Sequence, residues 1–167
     1  RVLMHVAHGD LRLEEDADSL HYRLPGITAV VARATGALTI QDAAGRLLVR
    51  EPARGGRTLD PVDVVVSVFD DAETVESREN VDGVRIDAVN ASTRVDRRAY
   101  HTKWELDWQP DEALYGLGSH EEGMFNLRGQ HQYLYQQNMK ASVPVLVSTR
   151  GYGLLVDTGS LLTFHDD

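Results

Sequence analysis

The chain has 167 residues and a mass of 18.6 kDa, 42% of them hydrophobic and 26% charged, which fits a domain with a real core and excludes a disordered composition. Seventeen basic against 26 acidic residues leave a net charge of −9, a field that repels phosphate backbones and anionic lipid, so neither nucleic acid nor a membrane is expected as a partner. The absence of cysteine excludes a disulfide framework, thiolate metal sites and cysteine nucleophiles.

No apolar run approaches the roughly 20 residues of a membrane helix. The chain starts at Arg1 with no basic-apolar-small leader pattern after it, which reads as a segment processed or excised from something longer. From there short apolar runs between turn signals dominate. They predict strands at residues 2–6, 11–13, 20–24, 27–33, 37–40, 47–50, 62–69, 84–89, 100–108, 133–136, 143–149, 153–157 and 161–164. In the run 100–108, Tyr100, Thr102, Trp104, Leu106 and Trp108 share one face, which reads as core, and Pro110 ends the strand. Residues 70–79 are acidic enough for a solvated loop or short helix, residues 111–114 suit one helical turn, and 50–61 and 70–82 read as mobile loops. The turn signals are Pro25-Gly26, Thr35-Gly36, Ala44-Gly45, Gly55-Gly56, Asp82-Gly83 and Arg150-Gly151. Residues 143–149 and 152–157 form a hairpin whose strands lack alternation, so both faces are expected to be covered. Short strands at this spacing predict an all-β, antiparallel sandwich rather than βαβ units.

The segment from Tyr115 to Gly123 carries three glycines, a histidine and two glutamates, yet it matches neither a phosphate loop nor the HExxH zinc helix, since Met124 stands where the second histidine would be. His120 with Glu121 or Glu122 makes two ligands where a zinc site needs about three from the protein, so no metal and no cofactor are expected. Residues 124–133 mix aromatic and apolar groups with amide and guanidinium donors, the set that reads a sugar through its apolar face and its hydroxyls. The plain alternative is a loop that turns Phe125 and Leu127 inward while Arg128 answers a carboxylate. Retaining glycosidases need two carboxyls about 5–5.5 Å apart. The adjacent pairs Asp70-Asp71, Glu121-Glu122 and Asp166-Asp167 do not qualify, because neighbours on a strand point to opposite faces. There is no GxSxG elbow, and His101, His120, His131 and His165 are spread over separate elements. Carboxylate pairs across a sheet stay open to the residues alone, although most of the 26 acids should be solvated surface, and no catalytic residue is assigned in this chain.

Three blocks together resemble a known family. They are Pro110-Asp111-Glu112-Ala113-Leu114-Tyr115-Gly116-Leu117-Gly118, then Asn126-Leu127-Arg128-Gly129, then Val143-Pro144-Val145-Leu146-Val147-Ser148-Thr149-Arg150-Gly151-Tyr152-Gly153. Their order and spacing resemble the N-terminal region of glycoside hydrolase family thirty-one, the α-glucosidases, α-xylosidases and related retaining α-glycosidases. The resemblance implies a galactose mutarotase-like supersandwich, here truncated and forming one N-terminal domain over residues 1–167. It also implies that the catalytic aspartates lie on a separate (β/α)₈ barrel, which at about 250 residues exceeds this whole chain. In the family a loop of this sandwich reaches over the barrel mouth and shapes the leaving-group subsites. Carried over, it is residues 120–130, with His120, Phe125, Asn126 and Arg128 expected to contact substrate or barrel, and Arg150 and Tyr152 expected to hold the hairpin. Ser119 stands where the family more often has glutamate.

The implied function is the non-catalytic N-terminal domain of a retaining α-glycosidase, whose α-linked carbohydrate substrate is met through the parent's barrel. A sandwich cut at Asp167 leaves a sheet edge or apolar face open, so self-association of the fragment is expected. The alternatives are a free-standing carbohydrate-binding module, which needs an exposed aromatic row, and a mutarotase-like aldose epimerase, which pairs a histidine acid with a carboxylate base.

Overall fold

The computed structural model describes residues 10–68, 75–88 and 92–166. All regular structure among them is β-strand, and every strand pairing is antiparallel. The predicted strand at 2–6 lies outside the described residues. Residues 57–104 form one compact unit, and the two flanking stretches together form another.

In the flanking unit, β1 (Arg12–Glu15), β2 (Ser19–Leu24), β3 (Ile27–Ala32), β4 (Leu38–Asp42) and β5 (Leu47–Arg50) follow one another as a five-stranded meander. Each predicted turn pair between them carries a glycine at positive φ, as do Asp82-Gly83 and Arg150-Gly151 later in the chain. Leu48 and Val49 of β5 are both buried, and so is Glu51, whose Oε2 accepts the N–H of Leu38 at 3.0 Å.

The same unit holds β10 (Leu114–Ser119), β12 (Ala141–Ser148) and β13 (Tyr152–Leu155) as a three-stranded sheet, with β11 (His131–Leu134) paired to β14 (Leu162–His165). Leu114, Leu117 and Leu146 of the first layer meet Leu134 of the second and Leu127 of the connection in one core. Trp108, Leu154, Leu162 and Phe164 pack around it. Leu114 is wholly buried. This is the sandwich that the strand spacing predicts.

The hairpin of β12 and β13 pairs Ser148 with Tyr152 and Val145 with Leu155, in the expected place. Its coverage differs from the expectation. Leu146 and Ser148 point into the core, whereas Val143, Val147 and Leu155 are exposed. Apolar residues on both sides of a strand do not require two covering layers; here one layer is packed and the other side is open apolar surface.

The unit 57–104 contains a long ribbon of β6 (Arg57–Val68) and β9 (Ser92–Trp104), and a hairpin of β7 (Val75–Asn80) and β8 (Gly83–Ala88). Several expectations change here. The strand expected at 100–108 is the far end of β9, which stops at Trp104. Leu106 and Trp108 follow outside it. Tyr100 and Trp104 do share a face, but they are 58% and 43% exposed, because a two-stranded ribbon has no second layer of its own to bury them. Residues 75–80, read as part of a loop or helix, are strand, and residues 57–61, read as loop, begin β6. β7 carries almost no apolar alternation; its register comes from the turn, where the Asp82 N–H donates to Asn80 Oδ1 at 3.0 Å and Asn80 pairs with Gly83.

Candidate functional site: the loop between β10 and β11

The loop leaves β10 through an unusual stretch. Gly116, Leu117 and Gly118 have φ of 116°, 63° and 96°, three consecutive positive values, at the point where the pairing with β12 slips register. The bulge turns the Leu117 side chain into the core. It also brings the two backbones so close that a β-carbon on Gly118 would collide with the carbonyl of Ala141 and stand 2.7 Å from the Val143 nitrogen. Residues 115–119, which none of the predicted strands covers, are therefore strand with a built-in bulge.

His120 follows, and its Nε2 lies 2.8 Å from the Leu117 carbonyl, to which it donates, while its Nδ1 is buried without a hydrogen bond. Midway, Lys140 Nζ donates to Glu122 Oε1 at 2.5 Å and holds that carboxyl below the usual carboxylate range. Phe125 sits at the tip, 81% exposed, its ring 4.9 Å from that of Tyr115 and tilted by 51°.

The return of the loop is anchored. Asn126 Oδ1 accepts the backbone N–H groups of Leu114 and Arg128, both at 3.2 Å, and the Leu127 N–H donates to the Leu114 carbonyl at 2.8 Å. Arg128 spreads its guanidinium over three partners. Nε donates to Asp166 Oδ2 at 2.8 Å, and Nη1 donates to the carbonyls of Gln109 and Glu112 at 2.8 and 2.9 Å. The same Asp166 oxygen accepts the Gly129 N–H at 2.6 Å. Of the four residues named from sequence, the structure turns Asn126 and Arg128 to the chain's own backbone, ties His120 to Leu117, and leaves Phe125 facing outward.

A second network includes Arg150 and Tyr152, the residues expected to hold the hairpin, but it centres on Glu112, which the sequence reading did not single out. Glu112, only 4% exposed, accepts the Gln109 N–H on Oε2 at 2.8 Å, and on Oε1 the hydroxyls of Ser148, at 2.5 Å, and Tyr152. The Ala113 N–H donates to Thr149 Oγ1 at 3.0 Å, and Arg150 Nη1 reaches Asp111 at 3.3 Å. The turn Ser148-Thr149-Arg150-Gly151-Tyr152 thus docks residue by residue on Asp111-Glu112-Ala113. Burial, then the bond to Glu112, pushes the Tyr152 phenol well above its ordinary value. The signal lay in two polar blocks of matched donors and acceptors, but nothing in either says that they meet.

Two carboxylates of this region, the buried Glu112 and the partly buried Asp166, are engaged by the chain's own donors: Glu112 holds the hairpin and Asp166 holds Arg128. Among the described residues no group of three or more histidines or acids is placed to hold a metal.

An antiparallel sandwich with this anchored loop and docked hairpin defines a class, and comparison of the sequence places the chain in it. The profile of the glycosyl hydrolase 31 N-terminal galactose mutarotase-like domain matches residues 7–164, and the chain belongs to that family. An uncharacterized family 31 glucosidase of Pseudescherichia vulneris is 28% identical over 144 residues, covering 84% of this chain and 24% of the relative. Among solved structures, the family 31 α-xylosidase of Xanthomonas citri superposes with a TM-score of 0.67 at 29% identity, over 90% of this chain and 13% of that one. A family 31 α-xylosidase from a soil metagenome, solved with xylose, shares the fold with a TM-score of 0.65 at 23% identity, over 98% of this chain and 22% of the other. The chain spans a quarter or less of the length of each of these relatives.

Proposed function

We propose that this chain is the non-catalytic N-terminal β-sandwich of a longer retaining α-glycosidase, serving as scaffold and lending the loop 120–130 to the subsites for the leaving-group sugar. The observation that carries this reading is Phe125, a ring 81% exposed at the tip of a loop anchored at both ends. An aromatic ring in water on a rigid support is a surface waiting for an apolar partner; covering it returns about 2 kcal/mol. The C–H face of a pyranose and the rim of a catalytic domain both fit it.

The four candidate residues then divide their work. Phe125 makes the contact with sugar or barrel. His120, Asn126 and Arg128 hold the loop that presents it. The commitment of Glu112 and Asp166 to structural donors supports a part without chemistry of its own.

The test has two arms. In the longer polypeptide, Phe125→Ala should raise KM for a disaccharide about tenfold, equivalent to about 1.4 kcal/mol, with kcat little changed; an unaltered KM would remove the loop from the subsites. The 167-residue chain alone should leave p-nitrophenyl α-glycosides intact, and turnover by it would end the non-catalytic reading.

One observation favours a second reading. Tyr100 and Trp104 lie exposed on one face of β9, four residues apart, the beginning of the aromatic row that a carbohydrate-binding module needs. Calorimetric titration with maltose and xylosides separates the two: binding that disappears in Trp104→Ala identifies a module, and no heat leaves the scaffold.

A further inference from the structure

The β11–β14 pair brings together two histidines far apart in the chain. His131 and His165 occupy directly opposed positions. Both are exposed, their Nδ1 atoms stand 2.9 Å apart, and the ring centroids are 5.0 Å apart with the planes at 61°. Two imidazole nitrogens can approach this closely by sharing one proton, or by sharing a metal ion in its place.

We propose that His131 and His165 form a two-nitrogen chelate for Cu(II) on the surface of the sandwich. The separation selects the metal. Two nitrogens bound at about 2.0–2.1 Å in neighbouring positions of a square-planar or tetragonal ion lie about 2.9 Å apart, whereas tetrahedral positions, as in zinc, put them about 3.3 Å apart. The pair already holds the shorter spacing. Cu(II) is also the divalent first-row ion that imidazole binds most tightly.

The proton balance is simple. The proton shared between the two Nδ1 atoms moves to the Nε2 of the ring that carries it, so both Nδ1 lone pairs turn to the cation and neither ring loses a proton to solvent. The broad imidazole torsion lets the two rings re-aim their lone pairs from each other to the cation. Strand pairing does the rest: the backbone of both histidines is set by the ladder, which continues through the Asp166 N–H to the Gln130 carbonyl at 3.1 Å, so little ordering remains to be done on binding. Asp166 is next in sequence, but its Oδ2 is engaged by Arg128 and Gly129. Water completes the coordination. The sequence reading missed this site because it looked for about three ligands and saw each histidine alone on its strand.

The test titrates the full chain with Cu(II) as the only metal, in a non-chelating buffer, followed by calorimetry and by electron paramagnetic resonance. One equivalent bound with a tetragonal spectrum split by two nitrogens supports the site, provided that His131→Asn and His165→Asn each abolish it. Far-UV circular dichroism of both variants should match the parent, as expected for exposed positions, and the His5→Asn/His8→Asn variant should still bind. Absence of binding at micromolar copper would overturn the proposal. So would binding that survives either strand variant, or that is lost with His5 and His8.

Discussion

Glu112 holds three donors while nearly excluded from water, and its removal tests how much of the hairpin depends on one carboxylate. Glu112→Ala strands the Ser148 and Tyr152 hydroxyls and the Gln109 N–H. Unsatisfied buried groups cost about 1–3 kcal/mol each, so a loss of about 3 kcal/mol is expected in urea unfolding, with Glu112→Gln losing less. Tyr152 adds a pH dependence. Its phenol is raised in the fold above the ordinary value of about 10, so the folded state holds a proton that the unfolded chain releases. That stability is complete below about pH 10 and is lost as pH climbs beyond it. The urea midpoint should therefore hold up to about pH 10 and fall as pH rises above it, and fall less in Tyr152→Phe. The donors at Asn126 and Arg128 were legible as residue types that read polar partners. That their partners are Leu114, Gln109, Glu112 and Asp166 was not, because a guanidinium matches a carbonyl or carboxylate of its own chain as well as a sugar hydroxyl.

At the scale of elements, the Tyr115-Gly116-Leu117-Gly118 block has a backbone explanation. A β-carbon on Gly118 would meet the Ala141 carbonyl, and one on Gly116 the Val145 carbonyl, both at φ values that side chains rarely adopt. Gly118→Ala should therefore break the β10–β12 pairing at a cost of about 3 kcal/mol or more, whereas Gly123→Ala, with open space around its β-carbon, should cost only about 1 kcal/mol. Matched urea titrations check the contrast, and equal losses would place the sensitivity elsewhere. Where a glycine marks a turn, as at Gly26 or Gly151, the sequence is read directly because the requirement is local. β7 shows the converse: its pairing comes from a turn at Asp82-Gly83 rather than from alternation, so a search for periodic apolar residues passes over it.

The whole chain exposes a sizeable apolar surface on one face of the β10-β12-β13 sheet. Val143, Val147 and Leu155 share it with the half-buried Tyr115, and Phe125 rests against that ring. Such a face favours association, opposed by the net charge of −9. Light scattering should show a dimer that grows with concentration and with added salt, which screens the repulsion, and Val147→Glu should return it to monomer. A monomer at all salt concentrations would count against this face as a contact surface. Sequence alone determined the class of this protein: strands of a few residues, antiparallel order, glycine-bearing turns and the three blocks that resemble the family. Those features depend on each residue's own backbone preference or on its near neighbours, so they survive in the linear string. Only the tertiary structure decided which faces are open, that Arg128 clasps Asp166 across 38 residues, that Glu112 receives Ser148 and Tyr152 across 36 and 40, and that His131 meets His165 across 34. These meetings are set by strand register and layer packing, where every residue's position depends on the whole ladder and not on its neighbours in the chain.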